Sequence, residues 1–288
     1  MSAPVITVVG SVNLDFVATA PTLPAPGETV TGATLATHPG GKGANQALAA
    51  RRLGATVRLV GRVGVDGMAD QALALLRRDG VDLAGVAVDG AAPTGVALIA
   101  VDAEGENQII VAPGANAAFG PELLPEAIEG ALICQLELPV ATVAAAVARA
   151  GGFVCLNLAP ALDVPDGILK RADLIVVNEG EAEVYGKRLH GLDGLVAITW
   201  GSRGAGLFRD GVRLATAEPP EVDVVDTTGA GDAFVGALTV ALLEGLSHAD
   251  ALAFACAAGA LTATKAGAQS SLPTRDEVER VLAAGNEE

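Results

Sequence analysis

Asp232 closes the stretch DTTGAGD and sits where a glycine-rich turn meets an apolar run with helical spacing, 226–238. A helix that starts at such a turn points unpaired backbone N–H groups outward, and its dipole favours negative charge there. Gly229, Ala230 and Gly231 are therefore expected to form an anion site, with a carboxylate one residue further on. Asp in a first helical turn can simply cap the helix. It can also take a proton from a hydroxyl while the amides hold the charge being transferred, provided both groups lie within a few ångströms of the reacting atoms.

Three further stretches carry residue types that could complete such a site. In PGGKGANQA, 39–47, three glycines surround Lys42 ahead of a helical pattern, so backbone can approach a ligand closely; a tight turn before a helix explains the same residues. In GSVNLD, Asn13 and Asp15 follow an apolar strand and, being two apart in extended chain, face the same way, as a pair gripping a polyol would. In NEGEAE, Asn178 and Glu181 stand three apart at a strand-to-helix junction, which suits either a capping box or a metal–water network beside phosphates. No Walker P-loop is present, because Lys42 is followed by glycine, and the first strand lacks the dinucleotide GxGxxG. His38, His190 and His248 are scattered, with no HxxxH spacing or serine–histidine arrangement, and are expected at the surface or in turns.

These residues need elements to hold them. VITVVG predicts a first buried strand, NLDFVATA an extended continuation, PTLPAPGETV a loop, and GETVTGATLATH a second extended piece. KGANQALAARRLG predicts a helix stopped by Gly54, TVRLVGRVG a strand, and DGMADQALALLRRDG a helix. The run 94–111 breaks this rhythm: two extended segments flank DAEGEN, a hairpin signal. Alternation then resumes with ALICQLE, VATVAAAVARAG, FVCLNLAP and ADLIVVNEGEAEVY. A strand and hairpin are expected within GLVAITWGSRGAGLFRDGVRLAT, two long helices after Gly229, and a last amphipathic helix from about Thr274. Strands alternating with helices imply a mostly parallel sheet with helices on both faces. The extended pieces near the N-terminus and the 94–111 hairpin are assigned together to a small β-sheet lid.

Composition narrows the partners. The 288 residues are 51% hydrophobic and 18% charged, enough for one large α/β domain. A net charge of −16 disfavours nucleic acid and anionic membranes, and any phosphate site must rely on local amides and cations. Three cysteines, Cys134, Cys155 and Cys256, lie in apolar segments without CxxC spacing, as expected of reduced thiols in the cytoplasm. The N-terminal stretch lacks a basic region ahead of an apolar one and predicts no signal peptide, and the uncharged run 251–264 is too short for a membrane helix.

GSVNLD, PGGKGANQALAA, QLELP, LNLAPA, NEGEAE, TWGSRG, DTTGAGDAFVGAL and KAGAQSSLP occur in an order, and over nearly the full length, that resembles the ribokinase (PfkB-type) family of carbohydrate kinases. The resemblance implies a three-layer α/β/α fold in a single domain, 1–288. A lid of about 13–38 and 93–111 would be inserted in a core of 1–12, 39–92 and 112–288. It implies ATP-dependent phosphorylation of D-ribose at the 5-hydroxyl; deoxyribose, fructose or adenosine as substrate, or a non-catalytic sugar-binding regulator, are the alternatives. Asp232 would be the base on the primary hydroxyl, with Gly229, Ala230 and Gly231 as the anion hole. Asn13, Asp15, Gly41, Lys42, Asn45 and Glu137, with Asp232, would hold the sugar. Asn178 and Glu181 would lie near the phosphates and magnesium. Thr199, Gly201, Ser202 and Gly204, with Gly231 and Cys256, would line the ATP site. A potassium ion would sit near Asp226, Thr228, Thr262, Lys265, Gly267 and Ser271, largely on backbone carbonyls, and the lid would pair two subunits as a homodimer. Two departures stand out: the 178–201 stretch is short, with little room for a further helix, and Cys256 replaces a larger polar residue beside the adenine.

Overall fold

The computed structural model describes residues 3–285; residues 1, 2 and 286–288 of the expected core segments lie outside the described residues. The chain opens with β1 (Val5–Val9), buried from its second residue on, the pattern of a central parallel strand. It passes through β2 (Asn13–Thr19), β3 (Thr34–Gly40), helix α1 (Lys42–Arg52), β4 (Thr56–Gly64), α2 (Gly67–Ala72), α3 (Ala74–Arg78), β5 (Asp82–Asp89), β6 (Gly95–Val101) and β7 (Asn107–Ala112). Then follow β8 (Ala131–Cys134), α4 (Val140–Arg149), β9 (Val154–Asn157), α5 (Asp166–Arg171), β10 (Leu174–Asn178), α6 (Glu179–Tyr185), β11 (Leu195–Thr199), β12 (Ala205–Arg209) and β13 (Val212–Ala217). The chain ends with α7 (Ala230–Leu243), α8 (His248–Thr262), α9 (Ala268–Ser271) and α10 (Arg275–Gly285).

Nine strands form the main sheet in the order β13-β12-β11-β10-β9-β8-β1-β4-β5. All neighbours from β5 to β11 pair in parallel, and β12 and β13 finish it as an antiparallel hairpin. One apolar cluster joins this sheet to α1, α2, α3, α7, α8 and α10, and a second joins its other face to α4, α5 and α6. The fold is therefore α/β in three layers. A separate four-stranded sheet runs β3-β2-β6-β7, with β2 and β6 parallel and the outer pairs antiparallel.

Three details differ from the sequence pattern. Strand β5 was not expected: Gly85 interrupts its apolar alternation, and it is a half-exposed edge. Helix α5 spans six residues after Pro165, too short to show a period. The single helix expected across 66–80 is divided at Leu73, although hydrogen bonds run through it: its N–H donates to Ala69 O at 3.0 Å and its carbonyl accepts from Arg77 N at 3.0 Å. The short 178–201 stretch holds α6 and one 3₁₀ turn, Gly186–Leu189, before β11.

Candidate active site

In a parallel sheet the strands all release the chain at the same edge, and ligands gather outside their carboxyl ends. Here Ser11 follows β1, Gln135 and Glu137 follow β8, Asn157 ends β9, Asn178 ends β10 and Thr199 ends β11. Helices α1 and α7 begin above that same edge. They pack closely because Gly236 has no side chain: a Cβ there would lie 2.9 Å from Ala49 Cβ and 3.0 Å from Ala50 N. Residues one turn earlier on each helix then meet. Asn45 Nδ2 donates to Asp232 Oδ2, and Gln46 Nε2 donates to Asp232 Oδ1, each at 2.8 Å. Asp232 is 7% exposed, and its side chain does not cap α7. The cap of α7 is Gly229 at φ +83°, a left-handed conformation natural to glycine; a Cβ there would also lie 2.9 Å from Ala268 Cα.

The expected trio of free amides is altered at one member. The Ala230 N–H donates to Thr227 O at 3.2 Å, closing a turn before the helix. Gly229, Gly231 and Asp232 have no such partner among the described residues, so the N–H groups left free at the helix start are shifted toward Gly231.

Asn13 and Asp15 are both buried on β2, opposite Gly40 and His38 of β3. Asn13 Oδ1 accepts from Asn116 Nδ2 at 2.8 Å, and Asn116 is itself tied to Val12 by its N–H at 3.0 Å and its carbonyl at 3.1 Å. The Asn13 amide therefore has its NH₂ end left for a ligand. Asn45 shows the reverse: its NH₂ is engaged with Asp232, and its Oδ1 is buried without a partner. Glu137 accepts from Ser11 Oγ at 2.5 Å and from the Lys42 N–H at 3.1 Å, and Gly41 caps α1 beside them.

Charge is concentrated around Lys42. Asp232 foremost raises its affinity for its proton against the opposing effect of burial, with Glu137, Glu181 and Asp15 adding to it. Asp15 is pushed from 3.8 to about 7, by burial first and then by Glu137 and Asp232, with Lys42 acting in the opposite sense. One ammonium thus faces four carboxyl groups. Burial raises Glu181 as well, partly offset by the Asn178 N–H and Lys42.

Two cavities meet at this edge. The larger, about 750 Å³, is lined by Thr199, Gly201, Ser202, Gly204, Gly231 and Cys256 among others. The smaller, about 230 Å³, touches Lys42, Asn157, Asn178, Glu181 and Asp232. Thr199, Thr227 and Gly231 line both, so the start of α7 is where they join. Asn178 and Glu181 form a full capping box on α6: Glu181 N donates to Asn178 Oδ1 and Asn178 N to Glu181 Oε2, each at 2.8 Å. The capping role read for them in the sequence is thus real; it engages Glu181 Oε2 and Asn178 Oδ1 and leaves Glu181 Oε1 and the Asn178 NH₂ out of the box, while both residues line the smaller cavity.

Of the residues expected around a monovalent cation, Asp226, Thr228 and Gly267 come together. Asp226 Oδ1 accepts from Thr228 N at 2.9 Å and Thr228 Oγ1 at 2.6 Å, and Oδ2 from Gly267 N at 2.8 Å. Burial acts to raise the Asp226 carboxyl, but these bonds and His38 hold it below the usual range. The hydroxyls of Thr262 and Ser271 bond to carbonyls of their own helices, Ala258 O and Ala268 O, and the Lys265 ammonium reaches Glu277 at 3.7 Å. No hydrogen bond of these three reaches Asp226, and the Lys265 ammonium itself can give a cation no ligand. His38 is not the isolated surface residue the sequence suggested: it stands at the lid's base, its ring 2.8 Å from where a Gly267 Cβ would be.

Gln46, Asn157, Gln135 and Asn116 were missed as site residues. Gln46, Gln135 and Asn157 lie inside the quoted PGGKGANQALAA, QLELP and LNLAPA motifs, and their position there was the available signal.

A carboxylate held by two amides, N–H groups at a helix start and two cavities that meet between them thus lie together at the carboxyl edge of an α/β sheet. The chain belongs to the pfkB family of carbohydrate kinases, whose family model matches residues 4–275. It is 37% identical to the ribokinase of Haemophilus influenzae over 296 residues, 94% of this chain and 96% of the relative. The crystal structure of ribokinase from Thermotoga maritima superposes with a TM-score of 0.88 at 35% identity, covering 97% of this chain and 99% of that one. Arabidopsis thaliana ribokinase complexed with ribose and ATP gives 0.81 at 32% identity, with 97% and 99% covered.

Proposed function

We propose that this chain transfers the γ-phosphoryl group of ATP to the 5-hydroxyl of D-ribose. The observation that carries the reading is the placement of Asp232, held by Asn45 and Gln46 at the point where the two cavities join. The nucleotide occupies the larger cavity, from Thr199, Gly201, Ser202 and Gly204 to Cys256, with its phosphates toward Gly231. The sugar lies against Asn13, Asp15, Gly41, Lys42, Asn45 and Glu137. Their unused groups include an NH₂ donor on Asn13 and a buried acceptor on Asn45. Asp232 orients the primary hydroxyl and accepts its proton as the phosphoryl group leaves ATP, while the N–H groups at the start of α7 and the Lys42 ammonium take up developing charge. Little covalent chemistry falls to the protein in such a transfer, so positioning dominates.

The donor set suits a divalent ion that arrives on the nucleotide. No group of three or more His, Cys, Asp or Glu among the described residues could hold a metal alone, and Mg²⁺ commonly keeps water and phosphate as most of its ligands. When bound, it screens the phosphates from the carboxylates around Lys42. Glu181 and Asn178 would hold its water shell. A potassium ion would sit beside the loop stitched by Asp226, whose carboxylate is held to Thr228 and Gly267, with Thr262, Lys265 and Ser271 as further ligands through backbone oxygen. Three buried free thiols support a cytoplasmic location, and the outer lid supports a homodimer.

The test is ADP release over ribose, deoxyribose, fructose and adenosine, in potassium and then in sodium. Ribose is expected to give the highest kcat/KM and potassium the higher rate; another preferred sugar would displace ribose. Asp232→Asn is expected to lower kcat ~10²–10⁴-fold with ribose still bound, and near-normal turnover would exclude Asp232 as the base.

A further inference from the structure

An aspartate's χ2 is a broad torsion, so its own rotamer preference does not set the plane of its carboxylate. Asn45 fixes only one oxygen of Asp232. The other is held by Gln46, which is completely buried and cannot reach a ligand. Gln46 belongs to a chain of amides running along the carboxyl ends of three adjacent strands, β8, β9 and β10. The Val176 carbonyl on β10 can only accept, so Asn157 gives it Nδ2, at 3.1 Å, and turns Oδ1 the other way. Gln46 must therefore present Nε2, whose two hydrogens go to Asn157 Oδ1 at 3.0 Å and Asp232 Oδ1 at 2.8 Å. Its Oε1 accepts from Gln135 Nε2 at 2.6 Å, just past β8. A main-chain carbonyl of the central sheet thus sets the polarity of every amide between it and the base.

We propose that Gln46, backed by Gln135 and Asn157, is a positioning residue that locks the carboxylate plane of Asp232 to the sheet. The idea rests on the reading of Asp232 as the base. It does not add a ligand contact; it removes a rotation. Gln46 and Gln135 line neither cavity, and only Asn157 reaches the smaller one, so substrate affinity is not what Gln46 controls.

Gln46→Met keeps the length and deletes the donor. With the folded enzyme, kcat is expected to fall roughly 10–100-fold, while the calorimetric Kd for ribose and the KM for ATP stay within about threefold. Gln135→Met, one step further back, is expected to lower kcat by a smaller factor and serves if the first variant does not fold. Gln46→Glu sets a second carboxylate against Asp232, in a cluster whose other charged groups are Lys42 of α1, Asp15 of β2, Glu137 after β8 and Glu181 of α6. Like charges sharing a site retain a proton to higher pH, so the acid limb of kcat at saturating ribose should move up by about one unit or more, a change that loss of packing alone does not cause. Asp232→Asn is assayed alongside. If it is inactive while Gln46→Met and Gln135→Met turn over normally, the positioning role is overturned. If Asp232→Asn is itself active, the reading of the base fails first.

Discussion

Asp15 carries the clearest conflict between stability and binding. In the unfolded chain its carboxyl titrates near 3.8, whereas in the fold it is pushed to about 7. Between those values the folded state binds the extra proton, so this group's contribution to stability falls as pH rises through the window. Asp15→Asn removes that penalty. At pH 8 its Tm should rise, by the equivalent of about 4 kcal/mol at most, while ribose affinity falls roughly 10–100-fold for loss of a charged hydrogen bond. Calorimetry between pH 5.5 and 8 checks both, because wild-type ribose binding should weaken below about 7 and the variant's should not. A Tm at pH 8 unchanged or lower in the variant would show that Asp15 is ionised at no cost. The residues proposed to touch ligand were legible because glycines, amides and carboxylates cluster within short motifs. Those behind them were not: Gln46 meets Asp232 across 186 residues and Asn116 meets Asn13 across 103, and no local pattern marks such pairs.

Between elements, the decisive contact is α1 against α7. All ten residues from Asp232 to Ala241 on α7 are buried, and the helix approaches α1 through Gly236, Ala49 and Ala50. One turn earlier on each helix stand Asp232 and the Asn45–Gln46 pair, so the spacing of the helices sets the hydrogen bonds on the carboxylate. Gly236→Val forces the helices apart against backbone that cannot yield. Overpacking of this kind costs about 1–3 kcal/mol, read as a lower denaturation midpoint, and kcat should fall at least tenfold with ATP binding retained. Normal kcat in a destabilised variant would separate helix spacing from catalysis. Most elements were legible here, since parallel strands buried on both faces are near-continuous apolar runs and the helices between them end in glycine. Strand β5 and helix α5 were not: an edge strand broken by Gly85 has no clean alternation, and six residues show no helical period. The α1–α7 approach lies at a higher level again, because a lone glycine in a helical run does not say what packs on it.

Across the whole molecule, the small sheet is the part whose surface is unexplained by one subunit. Asp15, His38, Ala97 and Val111 form one row across its four strands, and Thr37, Phe16, Leu98 and Ile110 form the next. Adjacent rows point to opposite faces, so the face turned away from Asp15 carries Leu98, 50% exposed, and Ile110, 67% exposed. Leu35, two residues along β3 from Thr37, is on that face and also 67% exposed. Contiguous exposed apolar side chains on a chain of net charge −16 call for a partner that is itself apolar at the contact, and a second copy of the same sheet meets that need. Replacing Leu98 and Ile110 together by Asp places like charges across a two-fold contact. Wild-type protein is expected to sediment at twice the chain mass and the double variant at once, with a Tm that becomes insensitive to protein concentration. Because β2 of the same sheet presents Asn13 and Asp15, losing the contact should also raise KM for the sugar several-fold while KM for ATP, at the other cavity, holds. A wild-type chain that sediments as a monomer at micromolar concentration would remove the dimer and leave the lid's outer face to some other partner.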